Sequence, residues 1–419
     1  MEKSPSSVTG AVALIGTLDT KGAEYQWVVD RLTAHDVRVI VVDVGIYDAN
    51  GFTGEIAVSQ VEVAEAAGTT IQALREDNDR GKATAAMGAG AGAVLTRVLS
   101  EGRLSGVLAL GGSGGSSIAA RAVRDLPIGL PKLIVSTMAS GNVAPYVGAN
   151  DVTMMYSVVD ISGINQISRT VLDNAVGGIV GMARAHSESA SVQENDDRPL
   201  IAASMFGLTT PAVDAARTRL ESLGYEVLVF HATGSGGKAL EALARSGVLA
   251  GVLDLTTTEL ADDLVGGVLT AGPSRLTAAG AAGVPQVVSF GALDMVNFGP
   301  RETVPHAFDE RQFFVHNPTV TLMRTTVAEN VELGRRLGTK LAAAKGPTVL
   351  ITPRGGVSGL DSPGMAFRNE EADAALFDTA LSVVEGSSVA VIDSAHHIND
   401  HEFAVRAADE LHALISKGL

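Results

Sequence analysis

The chain has 419 residues, a formal net charge of −16 and no cysteine. The length allows two or three domains with full cores. The charge argues against nucleic acid as a partner, and the missing thiols exclude disulfides, cysteine-held metals and thiol chemistry. Apolar residues make up 46% but aromatics only 4%, and there are 47 glycines. A core of Ala, Val, Leu and Ile with that much glycine suits helices packed closely on parallel sheets. No stretch reaches the length of an apolar membrane span, and the first ten residues lack the order of a signal peptide. A soluble, cytoplasmic protein with no membrane partner is expected.

Ala11 to Thr17 (AVALIGT) reads as a buried strand that ends in Leu18-Asp19-Thr20-Lys21-Gly22. A helix with Trp27, Val28, Val29 and Leu32 inside follows, then a second buried strand, Val37 to Val42, ending at Asp43. Strand, turn, helix and strand with an acidic residue at the end open a doubly wound nucleotide-binding sheet. Residues 48–82 read as a polar excursion over the sheet edge, and Ala83 to Leu99 as a tightly packed helix. The next strand, Gly106 to Leu110, breaks into Gly111-Gly112-Ser113-Gly114-Gly115-Ser116-Ser117 before a helix begins at Ile118. Such a turn lets successive N–H groups and the positive helix end converge on one anion, a phosphate or a carboxylate. It is not a Walker A loop, because no Lys-Ser or Lys-Thr closes it. A further strand at Leu133 to Val135 ends in a small polar turn with Ser136 and Thr137, and Asp160 to Met182 has helical spacing.

Residues 186–198 (HSESASVQENDDR) read as a linker. Beyond it the pattern restarts. Ile201 to Gly207, Tyr225 to Phe230, Gly251 to Leu255 and Gln286 to Ser289 repeat the four strand landmarks in order, with His231 where Asp43 stood and Thr256-Thr257-Thr258 where the glycines stood. The expected fold is therefore α/β, with two similar doubly wound, Rossmann-like parallel-sheet domains related by internal duplication. Their bounds are 1–185 and 199–419. In the tail, Asn317-Pro318 reads as the start of a helix running to about 345. Strands follow at Thr348 to Thr352 and Ser388 to Ile392, with helices near 370–385 and from about 401.

Three constellations could carry chemistry. At the rim of the first sheet, Thr17, Asp19, Thr20 and Lys21 should lie beside the turn at 111–117 and Thr137. Lys21 would neutralise a phosphate, Asp43 meet ribose hydroxyls and Asp19 hold magnesium. The loop from Leu293 to His316 offers His306 or His316 as general acid or base and Arg301 or Arg311 as an anion clamp; a domain or subunit contact is an equally good reading. Arg354, Ser358 and Asp361 with His396, His397 and Asp400 invite a hydrolase or metal reading. However, no nucleophile elbow surrounds Ser358, and adjacent histidines point apart.

The motifs GTLDTKG (16–22), LGGSGGSS (110–117), DISGINQISR (160–169), HATGSGG (231–237), DLTTTELADDLVGG (254–267), GALDMVNFGP (291–300) and HNPTVTLMRTT (316–326) give the chain a resemblance. Over nearly its full length it resembles the Tm-one-like ATP-binding domain family, named for a region of the tomato mosaic virus resistance protein. The resemblance implies two Rossmann-like domains, ATP as cofactor, joined in our reading by Mg²⁺, and self-association as a homodimer. It carries no reaction. Three functions stay open: an enzyme acting on a small anionic metabolite between the domains, a non-catalytic nucleotide sensor, and a hydrolase or lyase using the histidine-rich tail.

Overall fold

The computed structural model describes residues 10–191 and 198–418, in two compact units that divide at residue 196. The strands of unit 1 are β1 (Ala11–Gly16), β2 (Arg38–Asp43), β3 (Leu104–Gly111), β4 (Lys132–Ser136) and β5 (Thr153–Tyr156). Its helices are α1 (Leu18–Ala34), α2 (Gln60–Ala66), α3 (Ile71–Asp77), α4 (Arg80–Ser100), α5 (Ser113–Val123), α6 (Ala144–Val147) and α7 (Gln166–Ser191). The sheet is parallel with the order β2-β1-β3-β4-β5. Every residue of β1, β3 and β4 is buried, which is why these strands read as unbroken apolar runs rather than alternating ones.

Unit 2 contains β6 (Leu200–Met205), β7 (Glu226–His231), β8 (Leu249–Thr256), β9 (Gln286–Gly291), β10 (Met295–Phe298), β11 (Phe313–Asn317), β12 (Val320–Arg324), β13 (Thr348–Pro353) and β14 (Ala390–Ser394). Its helices are α8 (Thr210–Ser222), α9 (Ser235–Arg245), α10 (Glu259–Val265), α11 (Ala278–Ala282), α12 (Val327–Ala342), α13 (Glu370–Val384) and α14 (His401–Gly418). The main sheet runs β14-β13-β9-β8-β6-β7, all parallel. Both units are thus parallel α/β layers of the expected class. They share even a flaw: Ala11 pairs with Leu104 but Val12 with Gly106, and Leu200 pairs with Leu249 but Ile201 with Gly251. The same one-residue slip at the same place supports duplication and fixes which residues correspond.

Three local expectations change. Residues 48–82 contain α2 and α3, each with a Ser or Thr side-chain cap at its start (Ser59, Thr70). The glycine-rich α4 forms as expected, and Gly90 lets it lie against α2, since a β-carbon there would strike the carbonyl of Val63. The linker read from residue 186 is helix through Ser191, and 192–197 lie outside the described residues. Asn317-Pro318 does not start a helix. The Asn317 side chain accepts the N–H of Thr319 at 2.9 Å and turns β11 into β12, within an antiparallel three-stranded sheet, β10-β12-β11. The helix starts ten residues later behind a Thr326/Glu329 capping box.

Candidate functional site

The order β2-β1-β3 makes the carboxyl ends of β1 and β3 a point where the chain leaves in opposite directions, the place where such sheets open a crevice. Tyr25 props it open. Its buried hydroxyl lies 2.6 Å from the carbonyl of Ile15 and 2.7 Å from that of Leu110, and accepts the N–H of Leu110 at 2.9 Å. Burial raises its pKa further, so it stays a neutral hydrogen-bonding wedge. Gly16 is required beside it, because any side chain there would enter the ring.

Above the wedge lies a cavity of about 580 Å³. Its lining includes the apolar side chains of Val44, Ile46, Leu74, Ala83, Met87 and Ile118 and the polar groups of Thr17, Asp19, Thr20, Lys21, Arg80 and Gly112 to Gly115. The glycine turn is the start of α5: Gly112 is its N-cap and offers no side-chain cap. The first N–H groups of the helix therefore have no partner of their own.

The rim residues expected from sequence have separate roles. Thr17 and Thr20 hold each other through their hydroxyls at 2.9 Å. Lys21, at a kink in α1 (φ −134°), lines the cavity while its ammonium donates to the carbonyl of Ile161. Asp19 accepts the N–H groups of Ile46 and Tyr47 on one oxygen, both at 3.2 Å, and its other oxygen, Oδ1, is buried without a partner. Asp43 does not line the cavity. Its carboxylate is buried and accepts the N–H groups of Leu18 (3.2 Å) and Gly45 (2.9 Å), acting as the cap that Thr17 does not supply. Burial raises its pKa, and the two N–H groups oppose that shift.

Within the turn, Gly112 to Gly115 face the cavity, whereas Gly111 is buried at the strand end. Ser116 is fully buried and bonds the Ser136 hydroxyl at 2.6 Å; Ser117 donates back to the carbonyl of Ser113. Thr137 stands beside Gly112 but outside the lining. These residues shape the turn rather than face its open side.

Sequence reasoning missed Arg80. The first turn of α4, capped by Asp79 at 3.0 Å from the Lys82 N–H, brings its guanidinium over the turn. A β-carbon built on Gly114 would lie 3.2 Å from Arg80 Nη2. The Arg80 guanidinium has no hydrogen bond or ion pair among the described residues. The signal was local: Asn78-Asp79-Arg80 marks a capped helix start inside a stretch read only as polar.

The corresponding edge of unit 2 is closed. Counting eight residues past each bulge-side glycine, Gly106 and Gly251, puts Glu259 where unit 1 has Gly114. Glu259 accepts the N–H groups of Gly234 (2.7 Å) and Gly237 (3.0 Å) at the start of α9, and Arg275 Nε at 2.6 Å. Arg275 is fully buried and also meets Asp254 at 2.5 and 2.6 Å and Glu241 at 3.4 Å. Burial works against its charge, but the three carboxylates outweigh it and hold its pKa above the usual value.

The catalytic candidates of unit 2 are not assembled into a site. His306 is 98% exposed and pairs only with Asp309 at 3.3 Å, and His316 lies exposed on β11. Arg311 grips both oxygens of Glu329 (2.9 and 2.7 Å) and the carbonyl of Arg324, so it is a strut, not a free clamp. His397 accepts the Asn399 N–H on Nδ1, which leaves its proton on Nε2, 2.9 Å from the carbonyl of Ser358. That nitrogen cannot serve as a base for Ser362, 3.0 Å away. Ser358 is buried against Asp294 at 2.8 Å. Among the described residues, no three His, Asp or Glu side chains form a metal-binding group, and no helix is long and apolar enough to cross a membrane.

Fold and site together define a two-unit parallel α/β protein with an open crevice at the carboxyl edge of its first sheet. The chain belongs to the uncharacterised protein family UPF0261, whose N-terminal domain matches residues 10–188 and C-terminal domain residues 198–415. It is 48% identical over 406 residues to a UPF0261 protein of Clostridium tetani, covering 97% of this chain and 99% of that one. It is also 40% identical over 416 residues to the ToMV susceptible protein tm-1(GCR26) of Solanum lycopersicum, covering 95% of this chain but 55% of the tomato protein. The ToMV resistance protein Tm-1(GCR237) is 44% identical over 332 residues, 79% of this chain and 44% of that protein.

Proposed function

We propose that the crevice of unit 1 binds a phosphorylated small molecule, with ATP and Mg²⁺ as the favoured ligand. The observation that carries the reading is the pairing of an unengaged Arg80 with the uncapped start of α5, side by side on the wall of a cavity of about 580 Å³. A guanidinium and a helix N-terminus each suit a phosphate, and the volume suits a nucleotide-sized ligand. The apolar side chains of the lining would meet a flat base. The resemblance to a family named for ATP binding favours ATP among phosphorylated compounds.

Magnesium has one buried candidate ligand here: Asp19 Oδ1, a carboxylate oxygen without a partner, matches the habit of this ion of taking one or two carboxylates and completing its shell with phosphates and water. Asp19 would hold the ion in company with a bound phosphate and not alone.

No histidine lines the cavity, and Asp79 caps α4 through its Oδ1. This favours the sensor reading, binding without turnover, over chemistry on a second substrate. The test is calorimetric titration of ATP with Mg²⁺ into wild-type protein and into Gly114→Val, with ATP hydrolysis followed in parallel. Binding lost in the variant and no turnover in the wild type is the expected result. Equal binding in both proteins removes the crevice as the site.

A further inference from the structure

Glu259 is held as a ligand would be held. Its carboxylate is fully buried, takes the N–H of Gly234, the N-cap of an eleven-residue helix, and of Gly237 in its first turn, and takes the guanidinium of Arg275 at 2.6 Å. The chain around it makes room for this one group: at Gly237 a β-carbon would collide with the Glu259 carboxylate. In unit 1 the corresponding position is Gly114, which meets the guanidinium of Arg80; there the uncapped helix start is that of α5, to which Gly114 itself belongs, whereas Glu259 draws on α9 and the start of α4 is capped by Asp79.

We infer that unit 2 holds a second anion seat made of the same two kinds of part, a helix start and a guanidinium, permanently filled by its own side chain, and that removing the Glu259 side chain opens it to a free small carboxylate. The donors are already in place and desolvated, so a formate ion would replace the lost carboxylate group without rearrangement of the backbone. The chain then has one seat for an external anion, in unit 1, and one occupied internally, in unit 2. The first half of that statement rests on the function proposed above; the second does not.

The experiment is thermal unfolding of the full chain as wild type, Glu259→Gly and Glu259→Gln, each in sodium formate and in sodium chloride of equal concentration. Glu259→Gly leaves Arg275 short of a partner and should melt about 10 °C lower. Formate at roughly ten times its dissociation constant should restore about 4 °C to this variant. It should do nothing beyond chloride for the wild type or for Glu259→Gln, whose amide still fills the space. A Glu259→Gly protein that folds only in formate supports the inference equally. Identical melting in the two salts overturns it, as does a Glu259→Gly chain that folds in neither, or a response to formate in Glu259→Gln.

The reciprocal variant, Gly114→Glu, should carry a side chain into reach of Arg80, raise the melting temperature of the chain and end ATP–Mg²⁺ binding. A raised melting temperature in a protein whose wild type binds no ATP would leave the internal-anion design standing and remove only the nucleotide reading. An unchanged or lowered melting temperature would show that the two positions are not equivalent.

Discussion

The carboxyl edges of the two sheets have the same strand order at their centres and opposite contents. In unit 1 the edge is lined by backbone, threonines, an arginine without a partner and a carboxylate oxygen without one. In unit 2 the same edge is packed with Arg275, Asp254, Glu259 and Glu241, each satisfied by another. Charge at a strand edge is thus no guide to function until its partners are known. A paired, buried cluster is architecture; an unpaired group beside space is a candidate site.

The largest test of that contrast compares the two arginines. Arg275→Met would leave three carboxylates around an apolar side chain and should cost about 3–5 kcal/mol of stability, read as a lower midpoint in urea unfolding. Arg80→Met should leave the unfolding midpoint where it is, because nothing in the protein depends on that guanidinium. The same variant should instead weaken ATP–Mg²⁺ binding about 10- to 100-fold, the value of one hydrogen bond to a charged group. Loss of stability on changing Arg80, or none on changing Arg275, would reverse the roles assigned here.

A smaller effect should appear with pH. In unit 2 burial pushes Asp294 and Asp361 up to about 6 and Asp262 and Asp373 up to about 7. The folded form holds these protons more tightly than the unfolded chain, so their contribution is complete below about pH 4 and is lost as pH rises through 6 to 7. Asp294→Asn keeps an acceptor for Ser358 without the charge. Relative to wild type it should gain stability as pH is raised from 5 to 8, measured as the difference in melting temperature. A difference that stays constant across that range would mean that Asp294 does not titrate there.

Much of this architecture was legible from composition and order. The buried strands announced themselves as continuous apolar runs, and the duplication followed from their repetition. The glycine turn was recognisable because a strand that dissolves into glycine and serine has few other uses. What misled was polarity taken at face value. The loop from 293 to 316 looked rich in catalytic groups, yet Arg311 and Asp294 are held by Glu329 and Ser358, which lie 18 and 64 residues further along the chain. Arg80 was passed over because a capped helix start inside residues 48–82 has the same composition as a loop.

The sequence by itself determined the class of fold, the repeat of the strands and the turn on which the first sheet opens, because each depends on local pattern and backbone freedom. The tertiary structure decided which charges remain free. Whether a guanidinium meets a carboxylate, as Arg275 does, or stands over a glycine turn, as Arg80 does, depends on which distant segments share a sheet edge. No spacing along the chain encodes that directly.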